Sequence, residues 1–134
     1  MNKTKVAVIG CGTIARSQHV PGYAKNPAVE IKYLCDIIPE RAKALAEQYH
    51  VPNTVVDFRD ILGDKEVECI SVCTPNDTHA PIAIACLNAG KNVLCEKPAS
   101  VNMEMVNAMK AAADRNGKIL NIGWSTASTP RSTK

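Results

Sequence analysis

The chain has few aromatic side chains: phenylalanine, tryptophan and tyrosine together make up 4% of its 134 residues. Proteins that bind single-stranded nucleic acid stack the bases on aromatic rings, so this scarcity argues against such a partner. The chain also lacks a large excess of one charge, because residues 1–123 hold 14 basic and 13 acidic side chains. We therefore expect no nucleic-acid partner.

Long apolar runs and closely paired cysteines are missing as well. The first apolar run, Val6–Ile9, is too short for a signal-peptide core or a membrane span. The six cysteines include no Cys-x-x-Cys pair, so buried free thiols in a reducing compartment account for them better than disulfides or metal ligands. We therefore expect a cytoplasmic protein with no metal site and no membrane partner.

Hydrophobic residues make up 46% of the chain and fall into alternating strand-like and helix-like patterns. The segments Val29–Cys35, Cys69–Cys73 and Asn92–Cys95 are typical of buried strands separated by helices. This alternation predicts an α/β fold, namely a doubly wound, mostly parallel Rossmann sheet with strand order 3-2-1-4-5-6 and helices on both faces. Pro81 predicts a helix capped near Thr78, because the first turn tolerates its missing N–H.

A glycine-rich turn follows the first strand and consists of Gly10, Cys11, Gly12, Thr13, Ile14 and Ala15. Glycine at 10 permits a tight turn, glycine at 12 lets the backbone approach a diphosphate, and alanine at 15 allows close helix–strand packing. The second strand ends at Asp36, where a carboxylate can bind a ribose 2′-hydroxyl. Together these features predict a dinucleotide site, although the glycine pattern alone also occurs in ordinary strand–helix turns.

Asp36 also favours NAD over NADP, because a carboxylate accepts hydrogen bonds from the ribose hydroxyls and repels a 2′-phosphate. Arg41 falls in the first turn of the next helix and could reach a phosphate, with a solvated helix position as the alternative. Arg16 and His19 follow the glycine turn and could line the cleft, although a surface or packing role is preferred for both.

Two further segments are expected at the same edge of the sheet, since ligands of such folds bind beyond the carboxyl ends of the strands. After the fourth strand come Thr74, Pro75, Asn76 and His79, which either contact a cofactor or simply cap a helix and face solvent. After the fifth strand comes Glu96-Lys97-Pro98. A partly buried lysine there could transfer a proton, and a solvated Glu–Lys pair is the alternative.

Taken together, these motifs resemble the N-terminal domain of the glucose–fructose oxidoreductase/inositol dehydrogenase/MocA family over residues 4–123. The resemblance implies an NAD(P)-dependent oxidoreductase, a dehydrogenase acting on sugars, cyclitols or related polyols. It implies that Lys97 contacts the substrate hydroxyl and assists proton transfer, that residues 10–15 hold the pyrophosphate, and that Asp36 binds the adenosine ribose. The nicotinamide half would be bound by Thr74, Asn76, His79 and Glu96.

The resemblance also predicts what this chain lacks. In that family the sixth strand leads into a second domain that supplies the substrate pocket, whereas residues 124–134 form a tail with six serines and threonines. We expect residues 1–123 to be an NAD(P)-binding domain, with the substrate domain absent. The chain alone should bind NAD with little or no turnover, using a small polyol only if that domain is supplied. Its uncovered apolar surface would favour a homo-oligomer.

Two other interpretations remain open. The chain could be a non-catalytic dinucleotide-binding sensor or interaction module, in which Lys97 would be dispensable. It could also be a small-molecule methyltransferase, since those enzymes use a glycine turn and an acid after the second strand. The Glu96-Lys97-Pro98 element counts against the methyltransferase.

Overall fold

The computed structural model of the chain describes residues 3–12, 15–73, 76–95 and 103–122, with the backbone alone described at 17–18 and 76–79. The strands within these ranges are β1 Thr4–Ile9, β2 Val29–Cys35, β3 Asn53–Val55, β4 Val67–Val72, β5 Asn92–Cys95 and β6 Leu120–Ile122. A π-helical segment, Ala15–His19, leads directly into the first α-helix. The α-helices are α1 Val20–Ala24, α2 Pro39–Tyr49, α3 Arg59–Leu62, α4 Asn76–Asn88 and α5 Met103–Asn116.

The strands form one parallel sheet in the order β3-β2-β1-β4-β5-β6, which confirms the predicted fold class and strand order. Ile9 at the end of β1 pairs with Cys35 on one side and with Val72 on the other. Val72 in turn pairs with Cys95 at the end of β5. The carboxyl ends of these strands therefore lie at one edge of the sheet, and the segments after them emerge side by side.

Alternation along β1 divides the core between the two faces of the sheet, because successive side chains of a strand point in opposite directions. Val6 and Val8 belong to a cluster with residues of α1 and α2, whereas Ala7 and Ile9 belong to a cluster with residues of α4 and α5. Both faces are thus covered by helices, as parallel sheets require.

Helix α2 follows directly from its sequence. Pro39 stands at its amino end, where the missing N–H is not needed. The apolar spacing of Ala42, Leu45 and Ala46 places all three side chains in the core. The helix ends at His50, which adopts the left-handed conformation with φ 59°.

Helix α4 departs from the sequence prediction. It begins at Asn76 and contains Pro81 in its interior, so the expected cap near Thr78 is wrong. A proline inside a helix removes one backbone hydrogen bond and costs about 3 kcal/mol. Burial against the sheet offsets this cost, because Ala83 and Leu87 are fully buried and a buried leucine alone contributes about 1.5–3 kcal/mol.

An ionic cluster ties together the segments that enter β4 and β5. Asp64 Oδ2 lies 2.6 Å from Lys32 Nζ and accepts a hydrogen bond from the Tyr33 hydroxyl at 2.8 Å. The Asp64 carbonyl accepts a hydrogen bond from Lys91 Nζ at 2.6 Å. The bond from Lys32, followed by one from the Glu66 amide, lowers the pKa of Asp64 to about 2. The cluster holds β2 and the amino ends of β4 and β5 in place.

The lengths of the helices and the state of the cysteines can be compared with the expectations drawn from the sequence. None of the helices within the described ranges is both long and apolar enough to traverse a lipid bilayer. The six cysteines are free thiols, four of them buried.

Candidate functional site

The turn after β1 is held by both neighbouring strands. Gly10 has φ 92°, a conformation that favours glycine, and its N–H donates to the Cys35 carbonyl at 2.7 Å. The N–H of Cys73, just after β4, donates to the Ile9 carbonyl at 2.8 Å. The path of the chain out of β1 is therefore fixed before any ligand binds.

Gly12 presents an open backbone face. A Cβ atom built on Gly12 would meet no atom of the described residues within 4 Å, so protein packing does not require glycine at this position. The Gly12 carbonyl accepts a hydrogen bond from the Arg16 amide at 3.0 Å, where the π-helical segment begins. Ala15 is fully buried in the cluster that contains Val6 and Val8. Thr13 and Ile14 lie outside the described residues.

Asp36 lies directly against this turn. Its carboxylate Oδ2 accepts a hydrogen bond from the Cys11 amide at 2.8 Å, although 25 residues separate the two in sequence. Its own amide donates to the Val55 carbonyl at 3.2 Å, and the residue is 7% exposed. The structure thus places Asp36, which the sequence predicts to bind the ribose, against the glycine turn that is predicted to bind the diphosphate.

A cavity of about 490 Å³ opens between the glycine turn and helix α2. It is lined by Cys11, Gly12, Arg16, Glu40, Arg41, Ala44, Leu45 and Gln48. Arg41, which the sequence suggested could reach a phosphate, therefore lines the same cavity as Gly12, where Arg16 and Arg41 supply two positive charges and Glu40 supplies one negative charge. Such an environment suits an anionic group, because guanidinium groups bind phosphates well.

Sequence reasoning missed part of this lining. It preferred a surface or packing role for Arg16 and His19; Arg16 lines the cavity, whereas His19 is completely buried. Glu40 and Gln48 were not singled out at all. Their spacing places them on one face of α2, but a polar helix face ordinarily indicates solvent, so the pattern gave no sign of a cavity.

Exposed apolar side chains flank Asp36 at the same edge. Ile37, the next residue, is 82% exposed, and Val56, just after β3, is 50% exposed. The pairing of Cys35 with Val55 brings the two segments side by side. This edge of the site therefore offers an apolar surface rather than further charge.

The cysteine in the turn is not a reactive group. Burial, with a smaller contribution from the Asp36 charge, raises the pKa of the Cys11 thiol to about 12. Its Sγ donates a long hydrogen bond, 3.5 Å, to the Cys35 carbonyl. The thiol stays protonated at neutral pH and serves to pack the turn, because nucleophilic cysteines require the thiolate.

The remaining predicted site residues come after β4 and β5 in the sequence. Asn76 is the first residue of α4 and His79 lies in its first turn, so both follow β4 at the carboxyl edge. Their side chains lie outside what the structure describes, as do Thr74, Pro75, Glu96 and Lys97 in full.

A parallel sheet of this order, with a glycine turn after β1 and an acid after β2, defines a Rossmann-type dinucleotide-binding domain. The family described as an oxidoreductase family with an NAD-binding Rossmann fold matches residues 4–124. The chain belongs to this glucose–fructose oxidoreductase/inositol dehydrogenase/MocA family, which confirms the resemblance drawn from the motifs.

Two curated relatives illustrate the family. Inositol 2-dehydrogenase from Salmonella typhimurium is 35% identical over 123 residues, which cover 90% of this chain and 36% of the relative. D-glucoside 3-dehydrogenase from Escherichia coli is 34% identical over 116 residues, which cover 87% of this chain and 33% of the relative. The chain thus spans about a third of the length of the curated relatives it matches.

Among solved structures, the 3-ketoreductase KijD10 from Actinomadura kijaniata, in complex with NADP and TDP-benzene, superposes with a TM-score of 0.84. It is 29% identical, and the match covers 90% of this chain and 37% of KijD10. The likeness therefore lies in one portion of a longer protein, which in that structure binds NADP and TDP-benzene.

Proposed function

We propose that the chain is the nucleotide-binding half of an oxidoreductase that transfers a hydride between a nicotinamide dinucleotide and a sugar, cyclitol or related polyol. The observation that carries this proposal is the contact between Asp36 and the glycine turn, beside the open face of Gly12. A Cβ on Gly12 would meet none of the described atoms within 4 Å, which leaves this backbone open to a diphosphate, and Asp36 lies against the same turn, where an adjoining ribose would lie. The names of the two curated relatives support the polyol class.

NAD is the proposed cofactor in preference to NADP. Asp36 places a negative charge where a 2′-phosphate would lie, and the exposed neighbour Ile37 offers no compensating charge. Arg41 is an argument from the site for NADP, because it and Arg16 line the adjoining cavity and a guanidinium group can bind a phosphate. NAD, when bound, supplies the carbon that accepts or donates the hydride.

Ligand binding to the purified chain tests the dinucleotide assignment. NAD at a hundred times its Kd should stabilise the folded state by about 2.7 kcal/mol and raise the melting temperature accordingly. NADP should bind more weakly, and S-adenosylmethionine should not bind. Failure of millimolar NAD to raise the melting temperature would overturn the proposal, and preferential binding of S-adenosylmethionine would point to a methyltransferase.

We assign the catalytic role to Lys97, which would contact the substrate hydroxyl and assist its deprotonation. Hydride transfer further requires the substrate carbon to be held about 3–3.5 Å from the nicotinamide. One side of a cleft does not impose that distance, so turnover should need substrate-holding residues beyond these 134. The purified chain should therefore bind NAD without reducing it in the presence of polyols, and steady-state NADH formation would contradict this proposal.

A further inference from the structure

The Asp36 carboxylate is already occupied by the protein. Oδ2 accepts a hydrogen bond from the Cys11 amide at 2.8 Å, and Oδ1 accepts a hydrogen bond from the Ile38 amide at 2.8 Å. The first amide belongs to the turn after β1 and the second to the turn after β2. The side chain is 7% exposed, so its charge is stabilised mainly by these two donors. Asp36 therefore connects the two turns that border the candidate site.

The hydrogen bond from the Cys11 amide to Asp36 fixes a peptide unit of the turn that is proposed to bind the diphosphate. The Cys11 amide belongs to the peptide that joins Gly10 to Cys11, one residue before the open face of Gly12. On the other side, the Gly10 amide is held by the Cys35 carbonyl at 2.7 Å. With both amides anchored, the turn is ordered before binding, and a ligand does not have to supply that ordering.

We infer that Asp36 is a positioning residue for the glycine turn, and that its carboxylate supports diphosphate binding through the Cys11 amide, separately from any bond to the ribose. This inference rests on the proposed dinucleotide function. Each carboxylate oxygen has two lone pairs, so the two amides leave one on each oxygen for ribose hydroxyls. Both roles are therefore open to the same side chain.

The positioning role changes the effect that removal of Asp36 should have on the affinities for NAD and NADP. If Asp36 acted only on the ribose, its removal would spare diphosphate binding and relieve the repulsion of a 2′-phosphate. A positioning role predicts instead that Asp36→Ala weakens binding of NAD and NADP together, since the turn loosens for both. The direction of the change in affinity is informative, because removing a negative charge near a diphosphate should by itself tighten binding.

Calorimetric titration with ADP and with 2′,3′-dideoxy-ADP separates the two roles. A ribose-only role predicts that Asp36→Ala weakens ADP, while the dideoxy compound binds as well as before or more tightly, because a negative charge near its diphosphate is removed. The positioning role predicts that the dideoxy compound also binds about tenfold more weakly, because the Cys11 residue must then be ordered on binding instead of beforehand. Asp57→Ala is the matched control: Asp57 follows β3, and its carboxylate binds only Arg59 among the described residues. This control should not weaken either ligand.

Amide hydrogen exchange supplies a local readout that a general loss of stability would not imitate. In Asp36→Ala the Cys11 and Ile38 amides should lose protection, while the Gly10 amide keeps its bond to Cys35. Asp36→Asn serves if the alanine variant does not fold, because its single oxygen accepts at most one of the two bonds and does so without the charge that strengthens the bond to Cys11 in the wild type. It should weaken the dideoxy compound in the same direction.

Failure of the positioning role can be distinguished by experiment from failure of the proposed dinucleotide function. Unchanged affinity for 2′,3′-dideoxy-ADP, or unchanged exchange at Cys11 in the variants, overturns the positioning role even when the chain binds NAD. A wild-type chain that binds neither NAD nor ADP overturns the proposed function, and the positioning role in ligand binding falls with it.

Discussion

Replacing Gly12 by alanine separates the demands of folding from those of ligand binding. An added Cβ would meet no described protein atom within 4 Å, so the free energy of unfolding should fall by no more than about 0.5 kcal/mol. A small gain is also consistent, because alanine lowers the entropy of the unfolded chain. The same methyl group would lie on the backbone face that we assign to the diphosphate.

Keeping the phosphates away from that backbone should lose one charge-assisted hydrogen bond, worth about 1.5–3 kcal/mol, or about a tenfold to hundredfold rise in the Kd for NAD. Urea unfolding measures the first quantity and calorimetric titration the second. Gly10→Ala is the contrasting variant: at φ 92° an alanine should cost about 1–2 kcal/mol of stability. A Gly12→Ala chain that binds NAD as well as wild type would refute the assigned approach of the diphosphate, and one that is markedly destabilised would refute the open face.

Three further predictions concern charge and backbone conformation. Arg16→Ala and Arg41→Ala should each weaken NAD severalfold and reduce the salt dependence of its Kd, because each removes a cation that lines the cavity; titrations at two salt concentrations check this. Asp64 has its pKa lowered to about 2, so it should contribute about 1–2 kcal/mol of stability above its unfolded pKa of about 3.9. That contribution should disappear as the pH falls through about 2, and Asp64→Asn should remove it at pH 6 in urea titrations; an equal deficit at pH 2 and pH 6 would contradict the role of ionisation. His50→Gly should raise the free energy of unfolding by up to about 1 kcal/mol, since φ 59° suits glycine; lower thermal stability would contradict this.

Much of the fold could be predicted from local pattern. The bounds of β2 and β5 follow from apolar runs bordered by turn residues, and α2 follows from Pro39 and its apolar spacing. The failure at Pro81 has a tertiary cause. A local rule for proline does not include packing against the sheet, and the burial of Ala80, Ala83 and Leu87 in α4 offsets the cost of a proline inside the helix.

The sequence predicted which residues lie at the candidate site better than it predicted the hydrogen bonds between them. The spacing of Gly10, Gly12 and Asp36 indicated which residues lie at the carboxyl edge. It could not indicate that Asp36 binds the Cys11 amide, because that contact depends on the register between β1 and β2. It indicated that Arg16 could line the cleft but could not decide between that position and solvent, since exposed arginines ordinarily face solvent.

The ionic cluster around Asp64 has a consequence for how such a chain can diversify. Its bonds join the middle of β2 to the segments that enter β4 and β5, while the loops that border the candidate site leave from the carboxyl edge of the sheet. Amino-acid changes in those loops leave the anchoring charges untouched. A change of ligand preference at the carboxyl edge therefore does not require any change in these bonds.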